Sequence, residues 1–121
     1  MAKILLVEDS DTVRNQVKAA LSQNGHEVLE AVNGLDGLSK CEQNSDIQMI
    51  ICDVNMPEMD GLTMCLKVRG LGPYAKTPIF MLTTESSPDM KTKGKEAGVM
   101  AWMVKPFNPE KLLMGIKKVL G

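Results

Sequence analysis

The chain has 121 residues, a length that suits one domain, 1–121, and leaves little room for a second. Apolar residues make up 44% of it, which argues against wholesale disorder, and a net charge of −1 excludes general attraction to nucleic acid or to an anionic membrane. No apolar run approaches the roughly 20 residues that span a bilayer, and no signal-peptide segment is visible, so a cytoplasmic protein without a membrane partner is expected.

Apolar runs and helical patterns alternate along the chain. Ile4-Leu5-Leu6-Val7 reads as a first strand. Asp11 to Asn24 follows as a helix with Val13, Val17, Ala20 and Leu21 on one face; Ser10 or Asp11 can cap its start, and Gly25 can end it in a left-handed turn. Glu27 to Ala31 is a weaker strand, and Asn33-Gly34 turns the chain into a helix carrying Leu35, Leu38 and Cys41. Met49-Ile50-Ile51-Cys52 is a third, wholly apolar strand. A loop with Pro57 and Asp60-Gly61 leads to a helix through Leu62, Cys65 and Leu66. Pro78 opens the strand Ile79 to Leu82, and Pro88 to Ala97 is a helix weakened by Gly94. Met100 to Val104 is a fifth strand, and Pro109 starts a last helix with Leu112, Leu113, Ile116, Val119 and Leu120 inward.

Five strands interleaved with five helices imply an α/β fold: a doubly wound parallel sheet with helices on both faces and right-handed crossovers. The three cysteines, Cys41, Cys52 and Cys65, show no paired spacing, and His26 is the only histidine. Neither a disulfide framework nor a zinc site is expected; the thiols read as small core hydrophobes.

In such a sheet, ligands bind beyond the C-terminal strand ends. Glu8 and Asp9 follow the first strand, Asp53 the third, Thr83 the fourth and Lys105 the fifth. Singly, each has an ordinary reading. Acids favour the start of a helix, Thr83 suits a strand, and Lys105 suits a surface. Asp53 is harder to dismiss, because a carboxylate ending so apolar a strand is costly unless solvated or paired. Together they set three acids, a hydroxyl and a lysine along one edge. Crowded carboxylates repel, and a hard divalent cation such as Mg²⁺ relieves the repulsion. A carboxylate can also attack phosphorus to form an aspartyl phosphate, with the cation and Lys105 offsetting charge and the Thr83 hydroxyl donating to a phosphoryl oxygen.

Four segments carry a family resemblance: Ile4 to Ser10, Ile51 to Gly61 with its Asp-x-x-Met-Pro-x-Met-Asp-Gly pattern, Leu82-Thr83, and Val104-Lys105-Pro106-Phe107. In this order they resemble the receiver domain of two-component response regulators, most closely the stand-alone CheY-like receivers, over essentially the whole chain. The resemblance implies a flavodoxin-like strand order 2-1-3-4-5. It makes Asp53 the phosphoacceptor, with Mg²⁺ held by Glu8, Asp9, Asp53 and the Asn55 backbone carbonyl. Lys105 would contact the phosphoryl group and Thr83 would be the hydroxyl switch residue. A cis Lys105-Pro106 bond is implied, with a histidine kinase as phosphoryl donor and small acyl phosphates as substitutes. The protein would not be a turnover enzyme, although it would promote its own phosphorylation and dephosphorylation.

On phosphorylation Thr83 would move toward the phosphoryl oxygens and Trp102 would fill the vacated space, reshaping the face made by the fourth helix, fifth strand and fifth helix. The switch aromatic is usually Tyr or Phe, so Trp102 departs from the pattern; its competing reading is a partly buried core aromatic. Thr84, where a small residue is common, is expected to slow autodephosphorylation, and a Thr84→Ala variant no faster than wild type would refute that. Gly94 and Gly98 bracket the last turn of the fourth helix and suit it to rearrangement. Lys91 and Lys95 lie one turn apart as a solvated face or a partner site, and Met100 and Met103 could add adaptable contacts.

With no output domain following, a monomer that binds another protein is expected: the flagellar motor switch in chemotaxis, or alternatively the next protein of a phosphorelay or a developmental or cell-cycle pathway. A flavodoxin-like electron carrier fits badly, because Glu8-Asp9-Ser10-Asp11 would repel a flavin phosphate and only Trp102 and Tyr74 could stack on a flavin. A phosphatase fits badly too, since Asn55 sits where a further general acid would be needed.

Overall fold

A computed structural model describes residues 2–121. Its elements run β1 (Lys3–Val7), α1 (Asp11–Gln23), β2 (Glu27–Ala31), α2 (Gly34–Gln43), β3 (Met49–Cys52), α3 (Gly61–Arg69), β4 (Ile79–Thr83), α4 (Pro88–Glu96), β5 (Val99–Val104) and α5 (Pro109–Leu120). The strands form one parallel sheet in the order β2-β1-β3-β4-β5, as the family resemblance implied. β3 and β4 are buried along their whole length, whereas the edge strands β2 and β5 are half-exposed. That difference explains why β2 is the weakest apolar signal in the sequence.

Alternate residues along each strand feed two cores. Leu5, Val7, Ile50, Cys52, Ile79 and Met81 face α2, α3 and α4, packing on Cys41, Met64, Cys65 and Val68. Ile4, Leu6, Met49, Ile51, Phe80 and Leu82 face α1 and α5, packing on Val17, Leu21, Leu112 and Ile116. All five helices start with a side-chain cap: Ser10, Asn33, Asp60, Ser87 and Asn108 each accept a backbone N–H from the first turn. Each such cap contributes about 1 kcal/mol. Gly25 follows α1 in the left-handed conformation anticipated for it, with φ +84°.

Three features depart from the sequence reading. Leu35, read as an apolar position of α2, is 47% exposed, and α2 buries Gly34, Gly37 and Cys41. The buried stripe of α3 runs through Gly61, Leu62, Met64, Cys65 and Val68, and Leu66, read as one of its apolar positions, falls beyond its edge and is 59% exposed. A single 3-10 turn, Gly72–Tyr74, also interrupts the connection to β4. It buries Tyr74 completely, and the phenol donates to the Asn44 carbonyl across the chain. Among the described residues no helix is long and apolar enough to cross a membrane.

Candidate functional site

The strand order reverses between β1 and β3, and the crevice beyond their C-terminal ends holds the charged residues. Sheet hydrogen bonding carries on past the strands at these positions. The Glu8 N–H donates to the Ala31 carbonyl (3.0 Å), the Asp53 N–H to the Val7 carbonyl (3.2 Å) and the Lys105 N–H to the Thr83 carbonyl (2.8 Å). Each functional side chain is thereby aimed by the sheet rather than by a free loop.

Lys105 joins the cluster. Its ammonium lies 2.8 Å from Asp53 Oδ2 and 2.9 Å from Glu8 Oε1. Glu8, Asp53 and Thr83 are buried (2%, 6% and 0% exposed), so these charges are shielded from water and the geometry is held firmly. Asp9 is exposed at the mouth, and one carboxylate oxygen each of Glu8, Asp9 and Asp53 lie within 4.8 Å of one another.

Burial pushes the Glu8 carboxyl above its usual value, against the Ser10 N–H and Lys105, which both favour the charged form. Burial would lower Lys105, but its hydrogen bonds to Asp53 and Glu8 hold the ammonium above the usual lysine value. One ammonium thus serves two buried carboxylates, and the pocket remains short of positive charge.

Hard oxygen donors at this separation fit a small divalent cation. The exposed Asp9 carboxylate is the most open of the three, whereas Asp53 already receives Lys105 on Oδ2 (2.8 Å) and the Asn55 N–H on Oδ1 (3.3 Å). Both Glu8 oxygens are engaged, Oε1 by Lys105 and Oε2 by the Ser10 N–H at 2.9 Å.

The hydroxyl and aromatic positions meet at a residue that the sequence did not single out. Glu85, in the loop after β4, donates its N–H to Thr83 Oγ1 (3.3 Å), accepts the Trp102 indole N–H on its carbonyl (2.8 Å) and accepts the Asn55 side-chain N–H on Oε1 (2.9 Å). The Asn55 backbone N–H in turn donates to Asp53 Oδ1 at 3.3 Å. A chain of contacts therefore runs from Asp53 through Asn55 and Glu85 to Thr83 and Trp102. No motif marks Glu85, because two of its three links use its backbone.

Arg14 was also missed; its guanidinium donates to the Glu8 carbonyl at 2.9 Å while pairing with Glu30 at 3.3 Å, which steadies the acidic loop from α1 and β2. The loop after β3 is held just as closely. The Gly61 N–H donates to the Val54 carbonyl (2.9 Å) and the Gly34 N–H to the Met59 carbonyl (3.0 Å). Between them Glu58 adopts φ +68°, a strained conformation for a non-glycine residue. The Lys105-Pro106 bond is cis.

Trp102 is half-buried, with its six-membered ring over Gly94 of α4; a Cβ there would lie 2.7 Å from Cζ3. Gly94 is thus the seat of the indole, a packing role in addition to the weak helix position anticipated for it. Thr84 is exposed.

Residues 4–117 match the family model of the response regulator receiver domain. Over 120 residues the chain is 42% identical to chemotaxis protein CheY1 of Helicobacter pylori, covering 98% of this chain and 97% of that one. It is 41% identical to the chemotaxis protein CheY homolog of Campylobacter jejuni, covering 98% and 92% respectively. The solved structure of Vibrio cholerae chemotaxis protein CheY4 superposes with a TM-score of 0.92 at 45% identity over 98% of both chains. With the match spanning nearly all of the sheet and every strand end described above, the chain belongs to the response regulator receiver domain family.

Proposed function

We propose that the chain, 1–121 as one receiver domain, is a response regulator that accepts a phosphoryl group on Asp53 from a histidine kinase. The observation that carries this reading is Lys105 bridging Asp53 and Glu8, with Asp9 completing an acidic triad.

In the reaction an Asp53 carboxylate oxygen attacks phosphorus as the donor's bond to phosphorus breaks, so that an aspartyl phosphate forms and the donor leaves. Lys105 is already beside the oxygen that gains the charged group, and its ammonium offsets that charge. Mg²⁺, when bound by Asp9, Asp53, the Asn55 carbonyl and Glu8, the last directly or through water, supplies the remaining charge compensation. Thr83 exchanges the Glu85 N–H for a phosphoryl oxygen, and Trp102 follows.

The protein acts by changing its affinity for a partner rather than by turnover. Relatives named as chemotaxis proteins, similar over nearly the full length, support a flagellar motor switch protein as that partner. The test has two arms. Phosphoryl incorporation from acetyl phosphate is measured with and without Mg²⁺, on wild type and Asp53→Asn; Mg²⁺-dependent labelling absent from the variant is expected, and equal labelling of both overturns the site. Phosphorylated protein is then used to capture a flagellar switch protein against a histidine phosphotransfer protein. Preferential retention of the latter replaces the motor with a phosphorelay.

A further inference from the structure

Arg69, the last residue of α3, gives its guanidinium entirely to backbone carbonyls. Nη1 donates to Tyr74 (3.0 Å) and Thr77 (2.6 Å), Nε to Ala97 (3.2 Å) and Nη2 to Gly98 (2.9 Å). Among the described residues it makes no ion pair. Two of its acceptors belong to the turn that ends α4, where carbonyls without helical partners and the negative end of the helix dipole favour a cation. Gly98 is shaped to this contact in two ways. It takes φ +81°, and a Cβ on it would lie 2.9 Å from both Nε and Nη2. The planar fork therefore lies flat on the turn, a fit that a lysine ammonium does not reproduce.

α4 is held differently at its two ends. Its amino end follows the loop that carries Glu85, which is hydrogen-bonded to Thr83, Trp102 and Asn55, and Asn55 in turn to Asp53. Its carboxyl end is tied by Arg69 to the last turn of α3, at the opposite end of that helix from Gly61, and to the connection before β4. The seat of Trp102 at Gly94 lies between, one turn from the Arg69 tie.

We propose that Arg69 is a positioning residue of the switch: it fixes the carboxyl end of α4 as a pivot, so that release of Glu85 from Thr83 and Trp102 swings the amino end and opens the Gly94 seat. The inference rests on the receiver reading above. Without the tie, α4 moves as a loose unit, and the state of Asp53 no longer determines whether the indole is seated. Flexibility read from Gly94 and Gly98 thus belongs to the amino end of α4, and the Gly98 end is the fixed one.

Trp102 is the sole tryptophan, so its fluorescence reports the seat directly. Wild type, Arg69→Met, Arg69→Lys and Tyr74→Phe are treated with acetyl phosphate and Mg²⁺, and phosphoryl incorporation, the fluorescence change and amide exchange over residues 88–98 are recorded. Tyr74→Phe removes a neighbouring hydrogen bond without touching α4 and controls for simple loss of stability.

All four proteins are expected to take up phosphoryl groups to the same stoichiometry. Wild type and Tyr74→Phe keep the full fluorescence change, in Arg69→Met it shrinks about threefold or more, and Arg69→Lys falls between. Exchange in 88–98 rises in the Arg69 variants alone. A full fluorescence change in Arg69→Met overturns the pivot, as does incorporation in wild type with no fluorescence change. If Arg69→Met does not fold, a wild-type response in Arg69→Lys overturns it instead. No incorporation in wild type overturns the receiver reading and the pivot together, and so separates the two failures.

Discussion

A Cβ placed on Gly61 would lie 1.8 Å from the carbonyl oxygen of Asp53. The first residue of α3 therefore packs backbone to backbone against the residue proposed to carry the phosphoryl group. No side-chain rotamer can relieve such a contact, because both partners are main chain. Gly61→Ala is expected to displace the end of β3 and cost about 3 kcal/mol or more of unfolding free energy. Denaturant unfolding measures it; a loss under 1 kcal/mol would mean that the loop yields easily.

Lys105 pairs with Asp53 and Glu8, two of the carboxylates proposed to hold Mg²⁺, and so would compete with that cation. Lys105→Met removes that competitor while keeping most of the stem. Mg²⁺ is expected to bind several-fold more tightly to the variant, since two carboxylates then lack a counter-charge, while phosphorylation no longer shifts Trp102. Isothermal titration calorimetry reads the affinity. Weaker Mg²⁺ binding in the variant would show that Lys105 organises the site rather than competing for it.

Gly94→Ala puts a methyl group where the indole ring of Trp102 rests. The ring must leave its seat, so the unphosphorylated variant is expected to show red-shifted, more solvent-exposed fluorescence and a smaller further change on phosphorylation. An emission maximum identical to wild type would show that α4 moves to accommodate the methyl group.

Buried thiols give a prediction in alkali. Burial pushes the Cys41 thiol up from its ordinary value of 9.0 to about 11. The fold thus favours the protonated form. Stability from this group is complete below pH 9 and is lost as pH rises from 9 through 11, because the unfolded thiol ionises first. The unfolding midpoint of wild type is expected to fall over that window more steeply than that of Cys41→Ala. Parallel profiles would contradict it.

Strand ends such as Glu8, Asp53 and Lys105 are legible because short continuous apolar runs stop abruptly at charged residues, and a parallel sheet sends all such ends to one edge. Local chemistry also marks the Ser10 cap, while Asn33 and Asp60 are legible only as turn residues before helices that they in fact cap. The strand order was not legible from periodicity, since any order satisfies the same pattern; it came from the family resemblance. Glu85 is not legible because two of its three links use its own backbone, and Arg14 and Arg69 because their guanidinium groups reach backbone carbonyls, which every residue carries and no motif records. The packing role of Gly94 is illegible for a related reason. Helix propensity registers a glycine's cost within its own element, whereas its benefit here lies across α4 in the space left for Trp102.

The central claim is that Asp53 carries the phosphoryl group, and chemical trapping tests it most directly. Protein treated with acetyl phosphate and Mg²⁺ is reduced with borohydride, which converts an acyl phosphate to the alcohol, and the peptides are sequenced by mass spectrometry. Homoserine at position 53 alone, absent when Mg²⁺ is chelated, is the expected result. Homoserine at Asp9, at Asp60 or at no position in a protein that has taken up phosphate would contradict the account.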